Sequence, residues 1–211
     1  MSSKERLVIS GYGAATPAGN AEGFRKAVWT QTPFIRKFSD PERCAFLPHP
    51  VPIATVPSEI VAMSPLNDPD SPLEFKLAAT ALKEALGNVS AEERKNCGLA
   101  MGMTALASGY DRVLKDSKLL TALSLLAFND SLFWGHMLIL MAAKFGLGGL
   151  VETSPMNCAG GAESLRIAKN LLESDQVSFA LAGASECFSK PVHLQSMMLA
   201  DRKSTRLNSS H

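Results

Sequence analysis

Short apolar runs that end in glycine or in a sharp turn recur along this chain, with helix-length segments between them. This alternation limits the possible folds more than any other feature. Leu7-Val8-Ile9-Ser10 runs into Gly11-Tyr12-Gly13, and Cys97-Gly98-Leu99-Ala100-Met101-Gly102 forms a second run. An extended segment at 150–157 leads into the turn around Cys158, and a fourth run covers 177–183. Apolar runs of this length bounded by turn signals read as strands covered on both faces. Helices are predicted between them. One spans 22–29, and one opens at Ser71-Pro72, with the serine as N-cap and the proline in the first helical position. The latter carries Leu73, Leu77, Ala81 and Ala85 at helical spacing and ends near Gly87-Asn88. A third helix, 131–145, is apolar almost all round, belongs in the interior of a large domain or its dimer, and is stopped by Gly146-Leu147-Gly148-Gly149. A fourth spans 159–173. Strands alternating with helices specify an α/β protein with a layered, mostly parallel sheet. Residues 31–70 are dense in proline, which fixes φ and removes a donor, so irregular surface structure is expected there.

Bulk properties narrow the function. With 211 residues and 46% hydrophobic content, the chain has enough apolar surface for a substantial core. Lys and Arg number 21 against 20 Asp and Glu, so no basic surface is available to recruit nucleic acid or an anionic membrane. Small or carrier-bound substrates fit better. The four cysteines, Cys44, Cys97, Cys158 and Cys187, are widely separated, with no CxxC pair and no clustered histidine. Neither a zinc site nor a disulfide framework is indicated, no cofactor motif is found, and a reducing cytoplasm is expected. The apolar run at 7–9 is too short for a signal-peptide core. In residues 119–143, Asn129, Asp130, Ser131 and His136 interrupt what would otherwise resemble a membrane span of roughly 20 residues. Two buried helices are predicted there instead.

Chemistry concentrates at Pro155-Met156-Asn157-Cys158-Ala159-Gly160-Gly161, where an extended segment turns into a helix whose apolar face is read as Ala162, Leu165, Ala168 and Leu172. A thiol at the start of a helix faces the positive end of the macrodipole, which favours the anionic nucleophile. The small residues after it let a substrate approach the backbone. The N–H of Cys158, at a helix start, is placed to meet a developing oxyanion. Cysteine is also among the most buried residue types, and on local pattern alone Cys158 reads equally well as a packing residue. Cys44, Cys97 and Cys187 are read as packing residues.

The wider pattern distinguishes Cys158 from the other three. The opening from Leu7-Val8-Ile9 through Thr16-Pro17-Ala18-Gly19-Asn20 resembles that of the β-ketoacyl-[acyl-carrier-protein] synthases. Three further stretches match in order: Gly98-Leu99-Ala100-Met101-Gly102, Met141-Ala142-Ala143-Lys144-Phe145-Gly146, and the Cys158 turn leading to Phe179-Ala180-Leu181-Ala182-Gly183-Ala184-Ser185-Glu186. The resemblance covers 7–200 and implies the N-terminal half of a thiolase-like fold, a layered α/β architecture around a mostly parallel mixed sheet. It implies Cys158 as the residue that takes an acyl group from acyl carrier protein or coenzyme A. The acyl group is then extended by decarboxylative condensation with malonyl carried on acyl carrier protein, in fatty-acid or polyketide synthesis. It also implies a homodimer or paired heterodimer, and two histidines in the second half of the family's chain.

The sequence departs from that pattern in two respects. None of His49, His136, His193 and His211 matches the family's histidine motifs, which would lie beyond Ala200; His136 reads as a core or interface residue. Met156-Asn157 replaces the commoner Thr-Ala, and Gly160 stands where Ser or Thr is usual, which leaves the substrate subclass open. Two other members of the thiolase-like group compete: a non-catalytic chain-length-factor type of partner, which normally lacks the cysteine, and a thiolase. A pure binding module is the outside alternative.

Residues 201–211 are read separately. Back-translated, Asp201-Arg202-Lys203-Ser204-Thr205-Arg206-Leu207-Asn208-Ser209-Ser210-His211 is similar to a common sequencing-library adapter, so the expected organisation is a truncated synthase domain at 1–200 followed by a non-native tail. The first 200 residues alone are expected to be inactive. The tail has one large apolar residue, Leu207, and no periodicity, so deleting 201–211 is expected to leave the thermal midpoint unchanged. A fall in melting temperature on deletion would identify it as native.

Overall fold

The structure, a computed structural model, describes residues 7–38, 51–66, 71–103, 130–154 and 156–187. Its elements in chain order are α1 (Ala21–Trp29), β1 (Arg36–Phe38), β2 (Val51–Ile53), α2 (Ser58–Ala62), α3 (Leu73–Leu86), α4 (Ala91–Arg94), β3 (Cys97–Met103), α5 (Asp130–Phe145), β4 (Val151–Ser154), a single 3₁₀ turn (Asn157–Ala159), α6 (Gly160–Glu173) and β5 (Phe179–Ser185). Residues 104–129 and 188–211, which include the first of the two helices expected in 119–143, His193 and the tail, lie outside the described residues, as do His49 and Cys44.

The centre is a three-stranded parallel sheet in the order β4-β3-β5. β3 pairs with β4 from Leu99↔Val151 to Gly102↔Ser154, and with β5 from Cys97↔Phe179 to Met103↔Ser185. Parallel neighbours require crossovers, and α6 supplies the one from β4 to β5. The expected layered α/β class is what forms.

The alternation within β3 decides which helix goes where. Cys97, Leu99 and Met101 point to one face and join Phe75, Ala78, Ala79, Leu82 and Leu86 of α3 with Leu138, Met141, Ala142 and Phe145 of α5 in the main core. Gly98, Ala100 and Gly102 form the other face, and α6 packs there. A β-carbon on Gly98 would already stand 3.3 Å from the side chains of Leu171 and Val177. Bulk on one side and near-absence of side chain on the other therefore give a thick core layer and a close helix layer on opposite faces of the same strand.

Several expectations need correction. Leu7 to Ser10 form no strand: Val8 and Ile9 are 81% and 84% exposed. The chain just after them is held on a helix instead. Gly11 and Gly13 lie against the backbone carbonyls of Ala85 and Ala81 so closely that neither site has room for a β-carbon. The Glu84 carboxylate accepts hydrogen bonds from the N–H of Ala14 at 3.0 Å and of Ala21 at 3.1 Å. An apolar run becomes a strand only beside a partner, and among the described residues this run has none.

The proline-rich stretch is less irregular than expected. β1 and β2 form an antiparallel ribbon in which Lys37 sits opposite Pro52, and α2 follows. In a two-stranded ribbon each strand has an outer edge where a missing N–H costs nothing. Helix α3 has Pro72, not Ser71, at its N-cap position, with no side-chain cap. Helix α5, expected to lie in the interior of a large domain or its dimer, buries Leu138, Met141, Ala142 and Phe145 in this chain's core, and Ile139 and Leu140 are exposed in the single chain.

The Glu84 clamp ties the first loop and the start of α1 to α3. Hydrogen bonds to a charged acceptor each contribute about 1.5–3 kcal/mol. Glu84→Ala is expected to lower stability by about 2 kcal/mol in denaturant unfolding and to speed amide exchange at Ala14 and Ala21. An unchanged exchange rate at both amides would show that the clamp holds nothing.

Candidate functional site

The parallel strands β3, β4 and β5 all end on the same edge of the sheet, and there the chain turns from β4 into α6. After Ser154, buried at the end of β4, the hydroxyl of Ser154 accepts the N–H of Met156 at 3.4 Å, and the carbonyl of Met156 accepts the N–H of Ala159 at 2.9 Å. Those two short bonds curl residues 157–159 into one 3₁₀ turn, from which α6 departs at Gly160. Cys158 sits in that turn, exposed, with a free thiol. The sequence placed a cysteine between an extended segment and a helix, and the structure does so, with the refinement that a 3₁₀ turn separates the two.

The junction is close because side chains are missing. Gly160 is buried against Gly102 at the end of β3, and a β-carbon on Gly102 would come within 2.6 Å of the Gly160 Cα and nearer still to its carbonyl. Gly161 faces Ala184 near the end of β5 at ordinary van der Waals distance. Helix α6 has no side-chain cap at its N-terminus, so its first N–H groups are left facing the turn. Ser164, fully buried in the first turns, turns its hydroxyl back to the Gly161 carbonyl at 2.7 Å.

The buried stripe of α6 differs from the one read in the sequence. Gly160, Ser164, Ala168 and Leu171 are buried, while Ala162 is exposed and Leu165 is 58% exposed. Because the glycine face of β3 draws in the Gly160 side of the helix, the stripe rotates by about one residue. Met156, Ala162 and Leu165 are left exposed.

The other cysteines differ in kind. Cys97 is 2% exposed within the core, and burial pushes its thiol up from the ordinary range. Cys187 is half-buried just after β5, on the same edge of the sheet as Cys158. His136 lies in α5. Among the described residues no cluster of His, Cys, Asp or Glu could hold a metal ion, and no helix is long and apolar enough to cross a membrane. An open apolar groove of about 280 Å³ lies along α1 between Pro17, Phe24, Val28 and Phe34, and none of residues 156–161 lines it.

No family model matches the chain, and no curated protein does. Solved structures do. One is AntDE:AntF, a type II PKS acyl-carrier protein in complex with its ketosynthase bound to the hexaketide, with a TM-score of 0.64 and 22% identity over 90% of this chain and 47% of that one. Another is the ishigamide ketosynthase/chain length factor, with a TM-score of 0.66 and 19% identity over 90% of this chain and 55% of that one. The chain therefore has the thiolase-like fold of the ketosynthases and their chain-length-factor partners. It spans about half the length of the solved structures it matches.

The environments of the cysteines make a chemical distinction. Iodoacetamide at pH 8 is expected to carbamidomethylate Cys158 within minutes while Cys97 stays unmodified until the protein is unfolded. Peptide mass mapping reads this directly, and labelling of Cys97 at the rate of Cys158 would contradict the burial described.

Proposed function

We propose that this chain is the N-terminal half of a condensing enzyme of the β-ketoacyl synthase type, and that Cys158 is its acyl-carrying nucleophile. The observation that carries the reading is the position of Cys158: an exposed thiol in a 3₁₀ turn at the C-terminal edge of a parallel sheet, directly ahead of an uncapped helix, in a fold matched by ketosynthases.

The Cys158 sulfur attacks the carbonyl carbon of an acyl thioester, the carrier thiolate leaves, and the acyl group is held as a new thioester on the enzyme. The backbone N–H of Cys158 is the donor assigned to the oxyanion that forms in between. Malonyl on acyl carrier protein then loses carbon dioxide, and its carbanion attacks the Cys158 thioester. A β-ketoacyl product forms, and the cysteine thiolate is released. The two histidines that assist this step in the family would come from a part of the protein beyond Ala200, so the 211 residues alone would carry the nucleophile without its partners.

Acyl carrier protein is the proposed partner; one structural neighbour is a ketosynthase in complex with one. A homodimer or paired heterodimer and a cytoplasmic location are part of the proposal. That neighbour's type II PKS origin inclines the pathway toward polyketides, with fatty-acid synthesis as the alternative. A second reading, a non-catalytic partner subunit, draws on the ketosynthase/chain length factor neighbour. It leaves an exposed cysteine at this turn without a role.

In the full-length protein, incubation with an acyl thioester is expected to add the acyl mass to the peptide carrying Cys158. Cys158→Ala is expected to remove that adduct and to lower condensation by a factor of about 1,000 or more. An adduct-free wild type that still supports chain extension by a second subunit would establish the partner-subunit reading instead.

A further inference from the structure

We infer that Gly102, on a different strand from the nucleophile and 56 residues before it in the chain, is the positioning residue for Cys158. The inference rests on the reading of Cys158 as nucleophile, and it adds a determinant that lies outside the cysteine turn.

The argument begins with the contact itself. Gly102 is the last even-numbered position of β3, on the face that receives α6. There the backbone of β3 meets the backbone of Gly160 with nothing between them. A β-carbon at Gly102 would overlap the Gly160 carbonyl and lie 2.6 Å from its Cα, against main chain that has no rotamer to move. Gly160 is the first residue of α6 and comes two residues after Cys158. Cys158 lies in the 3₁₀ turn that continues directly into α6, closed by the bond from the Ala159 N–H to the Met156 carbonyl, so displacing Gly160 is expected to carry the thiol with it. No φ requirement contributes, because Gly102 lacks the positive φ that distinguishes Gly19, Gly87 and Gly146. Proximity alone demands glycine at this position.

Catalysis is sensitive to such a shift, since a displacement of about 1 Å at a reacting group can reduce a rate roughly 100-fold. A methyl group at residue 102 would force a displacement of that order at the start of α6.

The structure supplies its own control. Gly149 makes the same kind of contact at the opposite end of the sheet, where a β-carbon would stand 2.7 Å from the Cys97 carbonyl. Gly149→Ala therefore imposes backbone strain on β3 at the end of the sheet opposite the cysteine turn.

The experiment compares Gly102→Ala and Gly149→Ala with wild type in the full-length protein. Acyl loading of Cys158 is measured by mass spectrometry per folded molecule, and hydrogen exchange is followed in the 156–163 peptide. Gly102→Ala is expected to slow loading about 30-fold or more and to raise exchange in 156–163. Gly149→Ala is expected to lower the melting temperature by a similar amount while loading stays within about threefold of wild type and exchange rises near 95–99 instead. Equal loss of loading in Gly149→Ala and Gly102→Ala, or unchanged loading and exchange in Gly102→Ala, would overturn the inference. The comparison is run at reduced temperature if Gly102→Ala is unstable, and a Gly102→Ala that folds at no temperature while Gly149→Ala does would overturn the inference in favour of a purely structural role. If wild type itself takes no acyl group, the nucleophile reading falls, and the exchange pattern in 156–163 still decides whether Gly102 sets the turn.

Discussion

The two-faced character of β3 governs the rest of this molecule. Seven residues, Cys97 to Met103, present sulfur and leucine side chains to one side and two glycines and an alanine to the other. The first side has the bulk to fill a core between α3 and α5. The second has so little that α6 settles with its backbone almost on the strand. Were the two faces equally bulky, α6 would stand off by a side-chain layer and the turn before it would open. The tight 3₁₀ geometry at Cys158 is a consequence of how little material occupies the far side of a neighbouring strand.

This division of labour was partly visible in the sequence. Periodicity located β3, β4, α3, α6 and β5 to within a few residues, because buried parallel strands and amphipathic helices are set by local composition. The turn at Cys158 was located by the change from an extended run to a helix, although the local pattern alone read equally well as a packing cysteine. What failed depended on partners distant in the chain. Leu7 to Ser10 have the composition of a strand, but Gly11, Gly13 and the Glu84 clamp hold the following residues to α3, and strand formation needs an edge to pair with. The helical face of α6 was read from its leucines, whereas the glycines of β3 selected the Gly160 and Ser164 side. The ribbon at 36–38 and 51–53 was missed because proline density masked an edge pairing that tolerates proline.

The candidate site was less legible than the fold for the same reason. Cys158 stood out only through the ordered pattern of the whole chain. Gly102 did not, although a signal existed: glycine, alanine and glycine at alternate positions 98, 100 and 102 of one strand mark a face against which backbone must pack. A β-carbon constructed at each glycine separates those required by backbone angle, such as Gly87, from those required by space, such as Gly102 and Gly149.

The order β4-β3-β5 also has a temporal side. β3 is synthesised first of the three, yet its longest pairing is with β5, and the side-chain bond from Asn96 to Ser178 that flanks this pairing spans 82 residues. At a translation rate of about 5–20 residues per second, β3 waits roughly 4–16 s for that neighbour. Until then its backbone donors have no partner on that edge, and its glycine face has no helix over it. Sequence-distant pairing of this kind also slows folding once the chain is complete, because loop closure precedes any return in contacts. The smallness that brings α6 close to β3 thus leaves a nascent strand with little side-chain protection, and the ribosome-bound chain is the state in which a chaperone would meet it.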